Sequence, residues 1–386
     1  MIVVSGGPGS GKTAIALQSL AAILEENRRP TYVVKSAAMK TSVQKELGNH
    51  LQPLISYTDR FRYRPQNACD VVLIDEAHRM DGIAAIDWAS GQRQYKTRAA
   101  LDASLPIVRE IIRAAKVSIF FIDERQIIQP KEANQIADIQ TAAAQEHATV
   151  CHYQLEAQHR LAGSLEFLHW VDELFASPQP TLQPLGDVGA FECEVVASPA
   201  DLVKIHEDWE AQFPNQSRLL TGWCWDWAQK PHADGSLVDE VIIPDVIAYP
   251  WEAPKKGKPG RLAKGLARGE FWATAPSGAQ SFGSVYTAQG FDLPTVCLLW
   301  SRDLLWREAR WVGNPLRTQT RPGQRGGYPH YDNVDPQLSQ LDDVAIVPFL
   351  LNVYRILMTR ATKRLYIAFL DDQTREMVQS LLPTTK

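Results

Sequence analysis

Three short stretches place residue types at spacings that suit phosphoryl-transfer chemistry. The first, GGPGSGKT, comprises Gly6, Gly7, Pro8, Gly9, Ser10, Gly11, Lys12 and Thr13. It follows an apolar run and opens a helical one, the context in which such a loop wraps phosphate. Glycines let the backbone close around phosphate oxygens with its N–H groups and the helix N-terminus pointing inward. Lys12 would reach the β/γ-phosphates and the Thr13 hydroxyl would hold Mg²⁺. The second, LIDEAHRM (73–80), ends an apolar run with Asp75 and Glu76. At the carboxyl edge of a parallel sheet, Asp75 would sit near the metal and Glu76 would orient and deprotonate an attacking water. An acidic pair can also cap the next helix, but a phosphate loop upstream favours the hydrolytic reading over transfer to a small acceptor. The third, DERQ (123–126), carries Gln126, an amide placed to touch the γ-phosphate or the water; a lone glutamine would otherwise read as a loop residue.

Charge developing on the γ-oxygens calls for cations, and an arginine there is worth about 10³–10⁵ in rate. QHR (158–160) and TRA (359–361) each supply one, Arg160 and Arg360. Arg364 suits a solvated or nucleic-acid-facing position better, and Arg355 fits either reading.

The elements that would position these groups follow from hydropathy. IVVS (2–5), TYVVK (31–35), DVVLID (70–75) and VSIFFID (117–123) are continuous apolar runs, as parallel strands covered on both faces require; TVCHYQL (149–155) is a fifth strand. Helical stretches at 13–27 and 103–116 lie between them, so the first half reads as a doubly wound parallel sheet. A proline-rich loop (176–189) precedes a second alternation: FECEVVAS, a helix from Pro199 to about Glu210, SRLLTGW, EVIIPDVIAY, SFGSVYT, TVCLLWS, a helix near 345–361, and RLYIAFL. A chain of 386 residues suits two domains. No apolar run reaches the roughly 20 residues of a membrane span. Five scattered cysteines without a CxxC pair argue for a reducing, cytoplasmic setting and against a disulfide framework or a zinc site.

The net charge of -4 speaks weakly against a nucleic-acid partner, yet the cations are clustered. APKKGKPGRLAKGLAR (253–268) holds six cations and no acid, and 307–325 holds five arginines against one glutamate. Solvated loops would account for both; glycines and prolines in the first also suit a loop that settles on a phosphate backbone. Eight tryptophans lie between Trp223 and Trp311, most expected in the core and some available to stack on bases.

GGPGSGKT, DEAH, DERQ, QHR, YTAQGFD (286–292) and YRILMTRA (354–361) stand in the order of the superfamily-one helicase motifs. Together with SRLLTGWCWDW, AYPWEAP and LLWSRDLLWRE they resemble the Schlafen-type DNA/RNA helicase domain over nearly the whole chain. Superfamily-two proteins share DEAH but follow it with Ser-Ala-Thr and QxxGRxxR, both absent here. The resemblance implies two RecA-like P-loop NTPase domains with parallel sheets, 1–155 and 156–386, the second with a basic insert at about 252–270. ATP with Mg²⁺ would lie in the cleft between them and single-stranded DNA or RNA across their top. It implies phosphate and magnesium contacts for Lys12 and Thr13, a hydrolytic pair in Asp75 and Glu76, a sensor in Gln126 and fingers in Arg160 and Arg360. Gln289, Gly290 and Asp292 would couple nucleotide to strand. Departures are Ile122 for the glycine of the third motif, Tyr286 for a histidine, and a first strand starting at Ile2, which leaves no place for the glutamine that reads adenine; preference for adenine over guanine is inherited from the family alone.

The expected function is therefore an ATP-dependent motor, helicase or translocase. The rival is a nucleotide-switched nucleic-acid-binding ATPase in an assembly with a nuclease or other effector; a small-molecule kinase fits less well, given Glu76 and two late arginine motifs.

Overall fold

The computed structural model describes all residues except 36–39, 41–42, 44–48, 62–63, 81–85, 88–93, 96–104, 131, 133–134, 226–230, 252–268, 315–337, 339–340 and 384–386. The basic stretch at 253–268 and most of the arginines of 307–325 lie outside the described residues. The chain divides into two compact units, Met1–Gln158 and His159–Lys386.

In the first unit the elements are β1 (Ile2–Gly6), α1 (Lys12–Glu25), β2 (Pro30–Val33), β3 (Ile55–Ser56), β4 (Cys69–Ile74), a small hairpin of β5 (Ile86–Asp87) and β6 (Gln94–Tyr95), α2 (Ile107–Ala114), β7 (Ala115–Ile122), α3 (Ile136–Gln145) and β8 (Cys151–Leu155). Six strands form a parallel sheet in the order β3-β2-β4-β7-β1-β8. The apolar runs are continuous because both faces are covered. Val3, Val72, Ile74, Phe120 and Ile122 pack on one side with Ile111, Ile139 and Ala143. Their neighbours Val4, Leu73 and Phe121 pack on the other with Ala16, Leu20 and Tyr32. Truncating such a side chain costs about 2–5 kcal/mol, which fixes the register of the strand ends that carry the site. The helix expected over 103–116 stops at Ala114. Ala115 pairs with Cys69 in the β4–β7 ladder, and Lys116 reaches Asp70 at 2.7 Å, so these residues belong to the strand.

In the second unit the elements are α4 (Leu165–Leu174), β9 (Glu192–Val195), α5 (Pro199–Gln212), β10 (Ser217–Thr221), β11 (Asp239–Ile243), β12 (Ile247–Pro250), α6 (Val285–Ala288), β13 (Leu293–Trp300), β14 (Leu304–Arg307), β15 (Arg310–Gly313), α7 (Val347–Met358), β16 (Ala361–Phe369) and α8 (Asp372–Leu381). Four strands form a second parallel sheet, β10-β13-β16-β9. The fold is α/β, with a parallel sheet in each unit. Helix α5 starts where Ser198 accepts the Asp201 N–H at 3.1 Å and Pro199 occupies its first turn.

Two segments read as members of the β/α alternation do otherwise. EVIIPDVIAY folds as an antiparallel hairpin apart from the main sheet, because Asp245 takes a left-handed φ of 60° and turns the chain back. SFGSVYT touches the sheet only through an isolated bridge at Gly283 and then enters α6, whose start Ser284 caps. Most of the eight tryptophans are expected in the core, and Trp223, Trp225, Trp251, Trp272, Trp300, Trp306 and Trp311 are buried, with none of these seven exposed for stacking. Trp300, for instance, stacks on Tyr354 at 4.2 Å and Phe369 at 5.1 Å. These rings are core. Trp227 lies outside the described residues.

Candidate functional site

In the first unit the chemistry-bearing residues gather at the carboxyl edge of the sheet. The loop after β1 turns through left-handed glycines, Gly9 at φ 77° and Gly11 at φ 86°. Such values carry little penalty only for glycine. Gly6 is required for space: a Cβ there would come within 2.5 Å of Ser10 Oγ. Lys12 is buried, and its ammonium donates to the carbonyls of Gly6 and Gly7, both at 2.8 Å. Gln158, the last residue of this unit, donates to the Pro8 carbonyl at 2.9 Å.

One strand away beyond β7, β4 delivers the acids. Asp75 is buried, accepts the Tyr32 hydroxyl at 2.7 Å and is hydrogen-bonded by Thr13. Burial, followed by the neighbouring charge of Glu76, pushes Asp75 above the ordinary carboxylate range; the bonds from Tyr32 and Thr13 oppose this. Glu76 sits at a left-handed φ of 53°, a costly conformation for a residue with a side chain, held in part by its N–H donating to Asp75 Oδ1 at 3.0 Å. Burial works against its charged form too, but His78, Lys12 and Arg79 outweigh that and keep the carboxyl well below its usual range. His78 is fully buried, with Nε2 at 2.9 Å from Glu76 Oε2 and Nδ1 accepting the Asp123 N–H at 3.3 Å. Asp123 in turn accepts the Gln126 amide at 2.8 Å. A continuous polar chain therefore runs from Glu76 through His78 and Asp123 to Gln126.

Asp75, Glu76 and the Thr13 hydroxyl adjoin one another, oxygen donors of the type that hard divalent cations take. Among the described residues no group of three or more His, Cys, Asp or Glu could hold a metal.

In the second unit the later motifs converge at the amino-terminal edges of β13 and β16. Arg160 forms an ion pair with Asp292 through its Nε. The next residue, Leu293, donates its N–H to the Arg360 carbonyl at 3.1 Å. Arg360 is buried just after α7, its Nε donating to the Ile356 carbonyl at 3.2 Å. Gln289 is buried at the end of α6, and Gly290 follows at φ 90°. Arg355 resolves as a structural residue, its Nε 2.5 Å from Asp172. Arg364 pairs with Glu192 at 2.9 Å and lies over the Trp209 ring at 4.5 Å.

The sequence matches the family described as Schlafen group 3, DNA/RNA helicase domain, over residues 1–371. The chain belongs to that family. That agrees with the motif order read from the sequence. No curated relative matches the chain. Among solved structures it is similar to the arterivirus nonstructural protein 10 helicase, described in complex with DNA, at 13% identity and a TM-score of 0.37. That match covers 98% of this chain and 63% of the viral one, so the Schlafen domain spans less than two thirds of its length. Among the described residues no helix of the Schlafen domain is long and apolar enough to cross a membrane.

His78, Tyr32, Asp123 and Gln158 are the residues that sequence reasoning left without a role. Three of them lie inside stretches singled out for their neighbours: DEAH, DERQ and QHR. Tyr32 carried no distinguishing sign, since Thr31 beside it also bears a hydroxyl.

Proposed function

We propose that this chain hydrolyses ATP with Mg²⁺ and converts the cycle into movement along single-stranded DNA or RNA, in the cytoplasm. The observation that carries the reading is the convergence of Lys12, Thr13, Asp75 and Glu76 at one sheet edge, with His78 Nε2 2.9 Å from the Glu76 carboxylate. In this reading the proposed nucleotide-binding domain is 1–155 and the proposed partner domain 156–386.

Gly6, Gly7, Pro8, Gly9, Ser10 and Gly11 present backbone to the phosphates, and Lys12 exchanges its loop carbonyls for β/γ-oxygens. Thr13 and Asp75 would hold magnesium, which supplies charge neutralisation between the β- and γ-phosphates. Glu76 orients the attacking water and takes its proton. Gln126 reports the state of the γ-phosphate to the rest of the fold through Asp123. Arg160 and Arg360 are assigned to the developing γ-charge, and Gln289, Gly290 and Asp292 to coupling with the strand.

The test is phosphate release with and without single-stranded DNA or RNA. A motor shows stimulation of many-fold by at least one polymer, abolished in Lys12→Ala. Slow hydrolysis indifferent to polymer, joined to nucleotide-dependent binding of nucleic acid, identifies instead the switched module, working with a nuclease or other effector. Turnover only with an acceptor metabolite identifies a kinase.

A further inference from the structure

Arg160 and Asp292 stand 132 residues apart in sequence, yet the second unit joins them in an ion pair. The backbone on the Arg160 side is unusual. Leu161, Ala162 and Gly163 follow at φ 55°, 49° and 83°, three left-handed residues in succession, two of them with side chains. Each such non-glycine residue is disfavoured by roughly 1–2 kcal/mol. Leu161 is fully buried and anchors the corner. On the other side, Asp292 follows the left-handed Gly290 and precedes Leu293, which is fastened to the backbone of Arg360. Packing thus holds the two partners at their stations from both directions, and strain of this kind collects where geometry matters for function.

The two side chains differ in exposure. Arg160 is 12% exposed and Asp292 is 58% exposed. An ion pair open to solvent on one side is weak, and a dianionic phosphate offers a guanidinium more than one carboxylate does. We infer that Asp292 is a positioning residue that holds the Arg160 guanidinium until a γ-phosphate displaces it, so that the YTAQGFD segment governs how readily Arg160 is given up. The inference rests on the assignment of Arg160 to the γ-phosphate made above. It follows from linkage that any shift of the 289–292 segment that draws Asp292 away raises the affinity for triphosphate, and that bound triphosphate loosens that segment by the same factor.

The experiment compares binding of a non-hydrolysable ATP analogue and of ADP, each with Mg²⁺, to wild-type protein, Asp292→Asn, Asp292→Glu, Arg160→Ala and the Arg160→Ala/Asp292→Asn double variant. Asp292 is largely exposed, so losing its charge leaves the fold intact. Asp292→Asn should tighten the analogue by about 1.5- to 5-fold, the span expected of an exposed ion pair, and leave ADP unchanged. Asp292→Glu should behave as wild type. The double variant should match Arg160→Ala. Weaker analogue binding in Asp292→Asn, or an equal shift for ADP, overturns the inference and leaves the role of Arg160 standing. If Arg160→Ala itself does not weaken the analogue relative to ADP, the γ-phosphate assignment falls, and the inference falls with it.

Discussion

His78 places one ring nitrogen 2.9 Å from the Glu76 carboxylate and uses the other to accept the backbone N–H of Asp123 at 3.3 Å. The accepting nitrogen fixes the tautomer, so the nitrogen facing Glu76 is the one that carries hydrogen. This single buried side chain bridges the ends of two adjacent strands, β4 and β7. With Lys12 and Arg79, it favours the ionised form of the Glu76 carboxyl against burial.

His78→Ala should therefore act on turnover rather than on nucleotide affinity. Misplacing a reacting group by about 1 Å costs on the order of 10²-fold, so kcat should fall by about 10- to 100-fold with KM for ATP nearly unchanged. Steady-state phosphate release checks this. An increase in KM with kcat preserved would place His78 in substrate binding instead.

Asp303 offers a test by pH that is independent of the proposed chemistry. Burial pushes its carboxyl up to about 6, and the bond from the Tyr354 hydroxyl opposes this only in part. The folded state therefore holds a proton that the unfolded chain, with a carboxyl near its ordinary value, has released. Stability contributed by this group is present below about pH 4 and is lost as pH rises toward 6. Asp303→Asn keeps an acceptor for Tyr354 and cannot ionise. Its stability relative to wild type should increase between pH 4 and 6, by up to about 3 kcal/mol, then level off. A difference that stays flat across that range in denaturant titrations contradicts this account.

Gly283 tests the packing that leads into the YTAQGFD segment. A Cβ at this position would lie 2.4 Å from the Trp272 ring, and that ring is held by its N–H donating to the Ser281 carbonyl at 3.0 Å. Nearby, Arg218 donates to the carbonyls of Trp272 and Ala275 at 3.2 and 2.9 Å. The ring has no room to retreat, so Gly283→Ala should destabilise the protein by about 1–3 kcal/mol. Thermal unfolding reads the effect; a melting temperature equal to wild type would show that the segment yields.

How far the sequence could be read depended on what kind of interaction fixed each part. The strands of the first unit were legible because burial on both faces makes them continuous apolar runs, and the phosphate loop and acids followed from their ends. Lys116 was misread because its place in β7 comes from pairing with β4, a contact that helical periodicity does not encode. The hairpin β11–β12 was misread because its hydrophobic content matches that of a buried strand; only the left-handed Asp245 reverses it. The tryptophans were legible as mostly core, but which of them would be exposed was not. The Arg160–Asp292 pair, joining residues far apart in sequence, had no local signal at all.

Phosphate release at saturating ATP and Mg²⁺, with and without single-stranded DNA and RNA, tests the proposed motor most directly. Wild-type protein should be stimulated many-fold by at least one polymer, while Lys12→Ala, folded and with its loop ammonium removed, should release none above background. Wild-type hydrolysis that ignores both polymers, or that persists in Lys12→Ala, would contradict it.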